Sequence, residues 1–348
     1  VWLPSSANPI HWQWQIGADF DISKHVIPHV TVYDVDGFST SAQTVIALHN
    51  LGCKVIAYFS FGTYENWRPD QAQFTSAVKG KTNGWPGENW LDIRADLVKT
   101  IMTARIALAA SKGFDAIEPD NIDGYSNSTG FPLTASDQLS FNQWIAATVH
   151  SYGMSVGLKN DIEQAPTLQP YFDWALNEEC YKYSECSNLV YFVNAGKAVF
   201  QVEYSGKTTQ CSSLIVAQIN SMTRDLDLIA PGSSGYVRLP CIPDTQATWS
   251  GSPPPTGLVH GTTHTASFQI TITPANQACQ VEVWLGLNST TKSATGGLSA
   301  SFTSTGVAEQ VTSTIVLPAA NTYSVYVDVY IGSLKVASFV GVNTITVT

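Results

Sequence analysis

The chain has 348 residues, 44 % of them apolar and 13 % charged, with a net charge of −10. That apolar share excludes a disordered chain, the acidic balance excludes a nucleic-acid partner, which needs clustered Lys and Arg, and no run of about 18 apolar residues is present to cross a membrane as a helix. From Gly251 onward the charges are only Lys292 and Lys335 against Glu282, Glu309 and Asp328, so the acidic excess lies before that point and suits a cationic ligand as well as solubility.

In chain order, Gln13–Ile16 reads as a short opening strand and His29–Val35 as a second. Ser39–Asn50 carries Ala42, Val45, Ile46 and Leu48 at helical spacing and stops at Gly52. Lys54–Ser60 is nearly continuous apolar sequence, the mark of a parallel strand covered on both faces. A helix over Asp96–Lys112 ends at Gly113, and a strand over Phe114–Ile117 follows. Next come a helix over Ser136–Tyr152 with Ser136 as its N-cap, then strands over Met154–Leu158, Phe172–Leu176, Ala198–Val202 and finally Asp225–Ile229. About eight strand–helix units in about 240 residues predict a TIM (β/α)8-type barrel over 1–250, and no glycine-rich nucleotide fingerprint follows the first strand.

Gly251–Gly257 contains three consecutive prolines and reads as a stiff linker. Beyond it, 258–348 alternates with period two: Phe268, Ile270 and Ile272 on one face, Val281, Val283, Leu285 and Leu287 on another, Val325, Val327, Val329 and Ile331 on a third. This predicts a small all-β sandwich. Trp284, Tyr326 and Tyr330 fall on the opposite faces and form a candidate sugar-stacking platform, or else a second covered face. The six cysteines fit no zinc spacing; Cys180 with Cys186 and Cys211 with Cys241 can bridge, leaving Cys53 and Cys279 as buried thiols, and bridges imply an oxidising compartment. No signal peptide is visible, and a start at Val1 is expected of a processed or trimmed chain. Asn127-Ser-Thr and Asn288-Ser-Thr are glycosylation sequons.

Functional residues of such a barrel sit at the C-terminal ends of its strands. The predicted ends carry Ser60, Tyr64, Glu65 and Arg68; Glu118, Asp120, Asn121, Asp123 and Tyr125; Lys159 and Asn160; Asn177, Glu178 and Glu179; Glu203 and Tyr204. Their convergence makes an acidic mouth. Glycoside hydrolysis needs two carboxyl groups, and Asp120 and Glu178 end strands that can face each other across the mouth, with Lys159 between them to hold one carboxylate ionised. Acidic strand ends also build metal sites, but no His clusters with these acids, so neither a metal nor a cofactor is expected.

Five segments resemble glycoside hydrolase family 114, the endo-α-1,4-polygalactosaminidases. They are Tyr58–Asp70, Trp90–Arg94, Gly113–Tyr125 (with Glu-Pro-Asp-Asn), Gly157–Asn160 and Asn177–Cys180, and they occur in the family's order over roughly Trp12–Cys241. The resemblance implies a TIM barrel that cleaves internal α-1,4 bonds of galactosamine polymers, cationic when deacetylated. It places the catalytic aspartate on Asp120 and the catalytic glutamate on Glu178, ahead of its neighbour Glu179. Asp120 is read as the nucleophile of a retaining mechanism and Glu178 as its acid/base. Tyr58, Glu65, Glu118, Asp123, Tyr125, Lys159, Asn160, Glu203 and Tyr204 are the candidates for binding the polysaccharide. Arg68 with Asp70 reads as a surface ion pair, Asp92 and Arg94 as structural residues of an architectural connection, and the scattered histidines as ordinary ones. The expected protein is a secreted, extracellular monomer. Other readings are a non-catalytic carbohydrate-binding protein on a barrel scaffold, a hydrolase of another α-linked amino-sugar or galactose polymer, and a polysaccharide deacetylase, which would need a His/Asp metal site.

Overall fold

The computed structural model describes residues 1–28, 30–205, 207–241, 246–248, 258–271, 278–287, 291–299, 302–303, 308–331 and 334–348. They form two compact units, Val1–Gly206 with Ala217–Arg238, and Lys207–Val216 with Leu239–Thr348. The expected boundary at 250 falls inside the second unit, and the linker 251–257, Ile272, His29 and the sequon at Asn288 lie outside the described residues.

The first unit is built on eight parallel strands that pair side by side in chain order. They are β1 (Trp12–Gln15), β2 (Val32–Asp36), β3 (Lys54–Ser60), β4 (Ala116–Asp120), β5 (Ser155–Lys159), β6 (Trp174–Glu178), β7 (Val199–Glu203) and β8 (Asn220–Arg224). β8 closes on β1 through side chains: Trp12 Nε1 donates to the Asn220 carbonyl at 3.0 Å and the Arg224 guanidinium donates to the Trp14 carbonyl. The result is the predicted (β/α)8-type barrel, with crossover helices α1 (Ala42–Asn50), α2 (Asp96–Lys112), α3 (Ala135–Ser151), α4 (Ala165–Leu168) and α5 (Val190–Asn194). The link from β1 to β2 carries no helix among the described residues.

Local chemistry fixes the helices. α2 buries Val98, Ile101, Met102, Arg105, Ile106 and Ala109 on one stripe. A charged residue is tolerated there because Asp70 grips the Arg105 guanidinium at 2.8 and 3.0 Å. α3 is capped two residues earlier than predicted: Thr134, not Ser136, is the N-cap, since the Asp137 amide donates to its hydroxyl and Asp137 accepts its amide in return. The last strand is also misplaced by sequence. It is the polar Asn220–Arg224, whereas Asp225–Ile229 forms a loop in which Asp225 accepts from the Ile229 and Val237 amides. Between β3 and α2, a stretch read without structure folds into an antiparallel sheet of Thr63–Glu65, Glu88–Leu91 and Lys79–Thr82.

The second unit holds two antiparallel sheets. Gln246–Thr248, Thr263–Thr271 and Ala308–Val316 form one; Ala278–Gly286, Lys292–Leu298, Asn321–Ile331 and Leu334–Val347 build the other. Val281, Val283, Leu285, Val325, Val327 and Val329 pack in its core with Ile315, while Leu287 lies past its strand and is exposed. Of the two readings of these aromatics, the covered face is the one observed. Trp284 and Tyr326 are buried and stack on each other at 4.1 Å, and the Trp284 indole donates to Asp328 at 2.9 Å, so these aromatics build a second covered face. Both predicted disulfides, Cys180–Cys186 and Cys211–Cys241, are formed, and Cys53 and Cys279 are buried.

Candidate active site

β4, β5 and β6 are neighbours, so their C-terminal ends bring Asp120, Lys159 and Glu178 side by side. Asp120 and Glu178 therefore do not face each other across the barrel, as the sequence suggested, but flank Lys159. The residue after each strand end has a left-handed backbone: Asn121 (φ 60°), Asn160 (φ 47°) with Asp161 (φ 41°), and Glu179 (φ 59°). Such turns are costly for non-glycine residues and cluster where side chains must be aimed. Here they end each strand abruptly and turn its last side chain into the mouth. Gly62 makes the first turn possible, because a Cβ there would sit 1.7 Å from the Asn121 carbonyl oxygen.

The Lys159 ammonium lies 2.9 Å from Glu118, 2.9 Å from Asp120 and 3.4 Å from Glu178, and 4.7 Å over the Trp14 ring. Burial works against its charge, but the three carboxylates outweigh burial and hold it well above its ordinary range. Burial likewise opposes the Asp120 carboxylate; Lys159, the Tyr58 hydroxyl at 2.9 Å and Asn121 at 3.1 Å more than offset it and keep the carboxyl below the usual range. Glu178 accepts from Asn160 at 3.1 Å and from the Tyr204 hydroxyl. Asn160 in turn takes the Glu178 amide on its oxygen at 2.9 Å, which fixes the orientation of its own amide.

These groups line a cavity of about 610 Å³. Of the predicted residues, Asp120, Glu178, Tyr58, Glu65, Asp123, Lys159, Asn160 and Tyr204 reach it. Three do not. Glu118 is fully buried behind Lys159, held by that ammonium and by Trp14 Nε1 at 2.9 Å. Tyr125 turns its hydroxyl to Glu163 at 3.1 Å, and Glu203 is occupied by the Tyr181 amide and Gln201. Glu65 lines the wall but is almost wholly covered; burial, opposed by Arg68 and Arg105, pushes its carboxyl up to about 7. Arg68 does not pair with Asp70 as predicted: it bonds Glu65 and Asp36, and Asp70 serves Arg105. Asp92 and Arg94, read only as structural, form an ion pair at 2.8 Å. Asp123 is pushed up to about 6 by burial and by the charge of Asp120. Behind it Asp161, gripped by Asn142 at 2.8 Å, is pushed up to about 8 by burial and by Asp123.

Sequence reasoning passed over Trp14, Trp67, Trp85, Trp90, Glu88 and Asp227, which also line the cavity. Trp67 and Trp90 lie within the family-like segments, so a signal for them existed; Trp85 carries none.

The profile of glycoside-hydrolase family GH114 matches residues 1–244. Among solved structures, the chain is similar to Aspergillus fumigatus Ega3, crystallised in complex with galactosamine: 34 % identity, TM-score 0.62, covering 66 % of this chain and 95 % of that one. The glycoside hydrolase domain of PelA from Pseudomonas aeruginosa shares the fold at 11 % identity and TM-score 0.51, covering 65 % of this chain and 98 % of that one. No curated protein sequence matches. The chain belongs to glycoside-hydrolase family GH114 and is a glycoside hydrolase.

Proposed function

We propose that the protein is a secreted, monomeric endo-hydrolase of α-1,4-linked galactosamine polymers that works with retention, using Asp120 as nucleophile and Glu178 as acid/base. The observation that carries this reading is the single ammonium of Lys159 between the two carboxylates, nearer Asp120 than Glu178. Its charge keeps Asp120 ionised for attack. The two carboxylate oxygens nearest that ammonium are at most about 6.3 Å apart, a compact pairing that favours direct attack by Asp120.

In the first step an Asp120 oxygen bonds to the anomeric carbon, the glycosidic C–O bond breaks, and Glu178 gives its proton to the leaving oxygen. Esterification removes the charge of Asp120, so Lys159 then serves the new Glu178 carboxylate. In the second step Glu178 takes a proton from water, whose oxygen displaces Asp120 and restores the starting state. Tyr204 and Asn160 hold Glu178 in line throughout.

The likeness to Ega3 with galactosamine supports the sugar, and the cavity supports its charge state. Asp36, Glu65, Glu88, Asp123 and Asp227 join the pair on its walls, against Arg68 and Lys159 as the cations. That lining favours a deacetylated, cationic polymer over a neutral one. Two disulfides fit an oxidising, extracellular setting, and no helix among the described residues is long and apolar enough to cross a membrane. The first unit, Val1–Gly206 with Ala217–Arg238, supplies the catalysis, and the second is an appended domain.

The test is incubation with partly deacetylated α-1,4-galactosaminan beside Asp120→Ala and Glu178→Ala, with products read by mass spectrometry and the anomer by NMR. Short oligomers released by the wild type alone, first as the α-anomer, are expected. A first-formed β-anomer overturns retention, and no products from the wild type overturns the substrate.

A further inference from the structure

The cavity reaches beyond the carboxylate pair to two tryptophans that no catalytic role uses. Trp67 and Trp85 are 51 % and 50 % exposed, and both line the cavity that holds Asp120 and Glu178. Two half-exposed indoles on the wall of one cavity leave apolar area there that a ligand can cover.

Both are held on a stiff mount. In the antiparallel ladder after β3, Thr63 pairs with Trp90, Tyr64 with Asn89 and Glu65 with Glu88. Its end is closed by the Asn66 amide donating to the Gly87 carbonyl at 3.1 Å, so the turns bearing Trp67 and Trp85 are tied to each other. Gly87 has φ 86°, and a Cβ there would meet the Asn66 side chain at 2.6 Å, so only glycine allows this approach. Arg68, next to Trp67, is anchored by Glu65 at 2.7 Å and by Asp36. The Trp85 amide donates to Asn83 at 3.1 Å, and its carbonyl accepts from Glu88 at 3.1 Å.

We infer that Trp67 and Trp85 form a stacking platform for galactosamine rings of the polymer at positions beyond the cleaved bond. The chemistry fits the occupant. A galacto-configured ring has an axial O4, which leaves the hydrogens on C3, C4 and C5 together on one face, an apolar patch that packs flat on an indole. A protonated 2-amino group beside that face adds attraction to the ring electrons. Stacking reads the ring face and not its position along the chain, so the platform holds the polymer in any register, as internal cleavage requires. The inference rests on the proposed substrate and adds where its chain runs.

The test uses Trp67→Ala, Trp85→Ala and the double variant of the full chain, each first checked for an unchanged melting temperature. For the double variant, KM on long galactosaminan is expected to rise about tenfold or more with a smaller change in kcat, and the loss to shrink as the substrate is shortened. In an Asp120→Asn background the same pair is expected to abolish retardation in a galactosaminan-containing gel, and Trp85→Tyr, which keeps a flat face, to restore part of it where Trp85→Leu does not. A double variant that binds and cleaves like its parent overturns the platform and leaves the substrate standing. A wild type that neither cleaves galactosaminan nor is retarded by it overturns the substrate, and the platform as a galactosamine site with it.

Discussion

The Lys159 ammonium lies 2.9 Å from Oδ1 of Asp120, and its side chain is only 2 % exposed. Water cannot replace it as the counter-charge. Substituting Lys159→Met leaves only Tyr58 and Asn121 to oppose burial at Asp120, so the carboxyl moves up from its depressed position. The expected result is a fall in kcat on the order of 10²–10⁴-fold at neutral pH, with the acid limb of the kcat/KM profile moved to higher pH. The variant is also expected to lose about 3–5 kcal/mol of stability, because Glu118 remains buried beside the missing charge. A pH–rate profile that keeps its acid limb would remove Lys159 from the ionisation of Asp120.

Glu178 and Asp120 are expected to separate under chemical rescue. Glu178→Ala should lose about 10²–10⁴-fold on the polymer, and added azide should restore turnover of an activated aryl glycoside as a glycosyl azide of inverted configuration relative to the covalent intermediate. Asp120→Ala should yield a glycosyl azide inverted relative to the substrate. Configurations the other way round, read by NMR, would exchange the two roles.

Much of this site was open to sequence reasoning because its residues are strand ends. The strand Lys54–Ser60 and the helix Asp96–Lys112 were placed as they stand, since one is a covered apolar run and the other an apolar stripe stopped by Gly113. The last barrel strand was missed because Asn220, Ser221 and Thr223 point polar groups into a buried, hydrogen-bonded setting that no hydropathy pattern announces. Trp284 was left between two readings because alternation shows two faces but not whether the second is covered. Glu203 ends a strand as predicted, yet spends its carboxylate on the Tyr181 amide. Strand-end position carries chemistry only where the side chain is left unspent.

Asp161 gives the fold a pH dependence. An ordinary aspartate titrates near 4 when unfolded, and burial with Asp123 nearby raises this one to about 8 when folded. Between those values the folded state holds a proton that the unfolded state lacks, so this group's contribution is intact below about pH 4 and is lost as pH rises toward 8. Asp161→Asn removes that loss, keeps an oxygen for Asn142, and suits the left-handed backbone better. It is expected to raise the melting temperature by a few °C at pH 8 and by little at pH 4.5. An equal gain at both pH values would show that titration of Asp161 is not the cause.

The Cys211–Cys241 bridge joins two segments of the second unit across a sequence separation of 30, and the loop it closes carries β8 of the first unit. Replacing both cysteines with serine is expected to cost that unit about 3 kcal/mol, visible as an earlier calorimetric transition. Hydrolysis measured below that transition should persist, because Asp120 and Glu178 end β4 and β6, outside the closed loop. Loss of activity in step with the early transition would show that catalysis depends on the second unit.

Gly62 and Gly52 offer a contrast between position and stability. A Cβ on Gly62 would lie 1.7 Å from the Asn121 carbonyl oxygen and 2.8 Å from its carbon, both main-chain atoms that cannot swing aside. The amides of Phe61 and Gly62 also donate to the Asp120 carbonyl at 2.9 and 3.2 Å, so the displacement is delivered to the nucleophile itself. Gly52 has φ 81° and open space around it, so alanine there strains only its own backbone. Gly62→Ala should therefore lower kcat about 100-fold, the order expected for a misplacement of about 1 Å at the reacting atom. Gly52→Ala should lose about 1 kcal/mol of stability and keep its kcat. If the two variants lose activity in proportion to their melting temperatures, the close approach at Gly62 serves the fold and not the aim of Asp120.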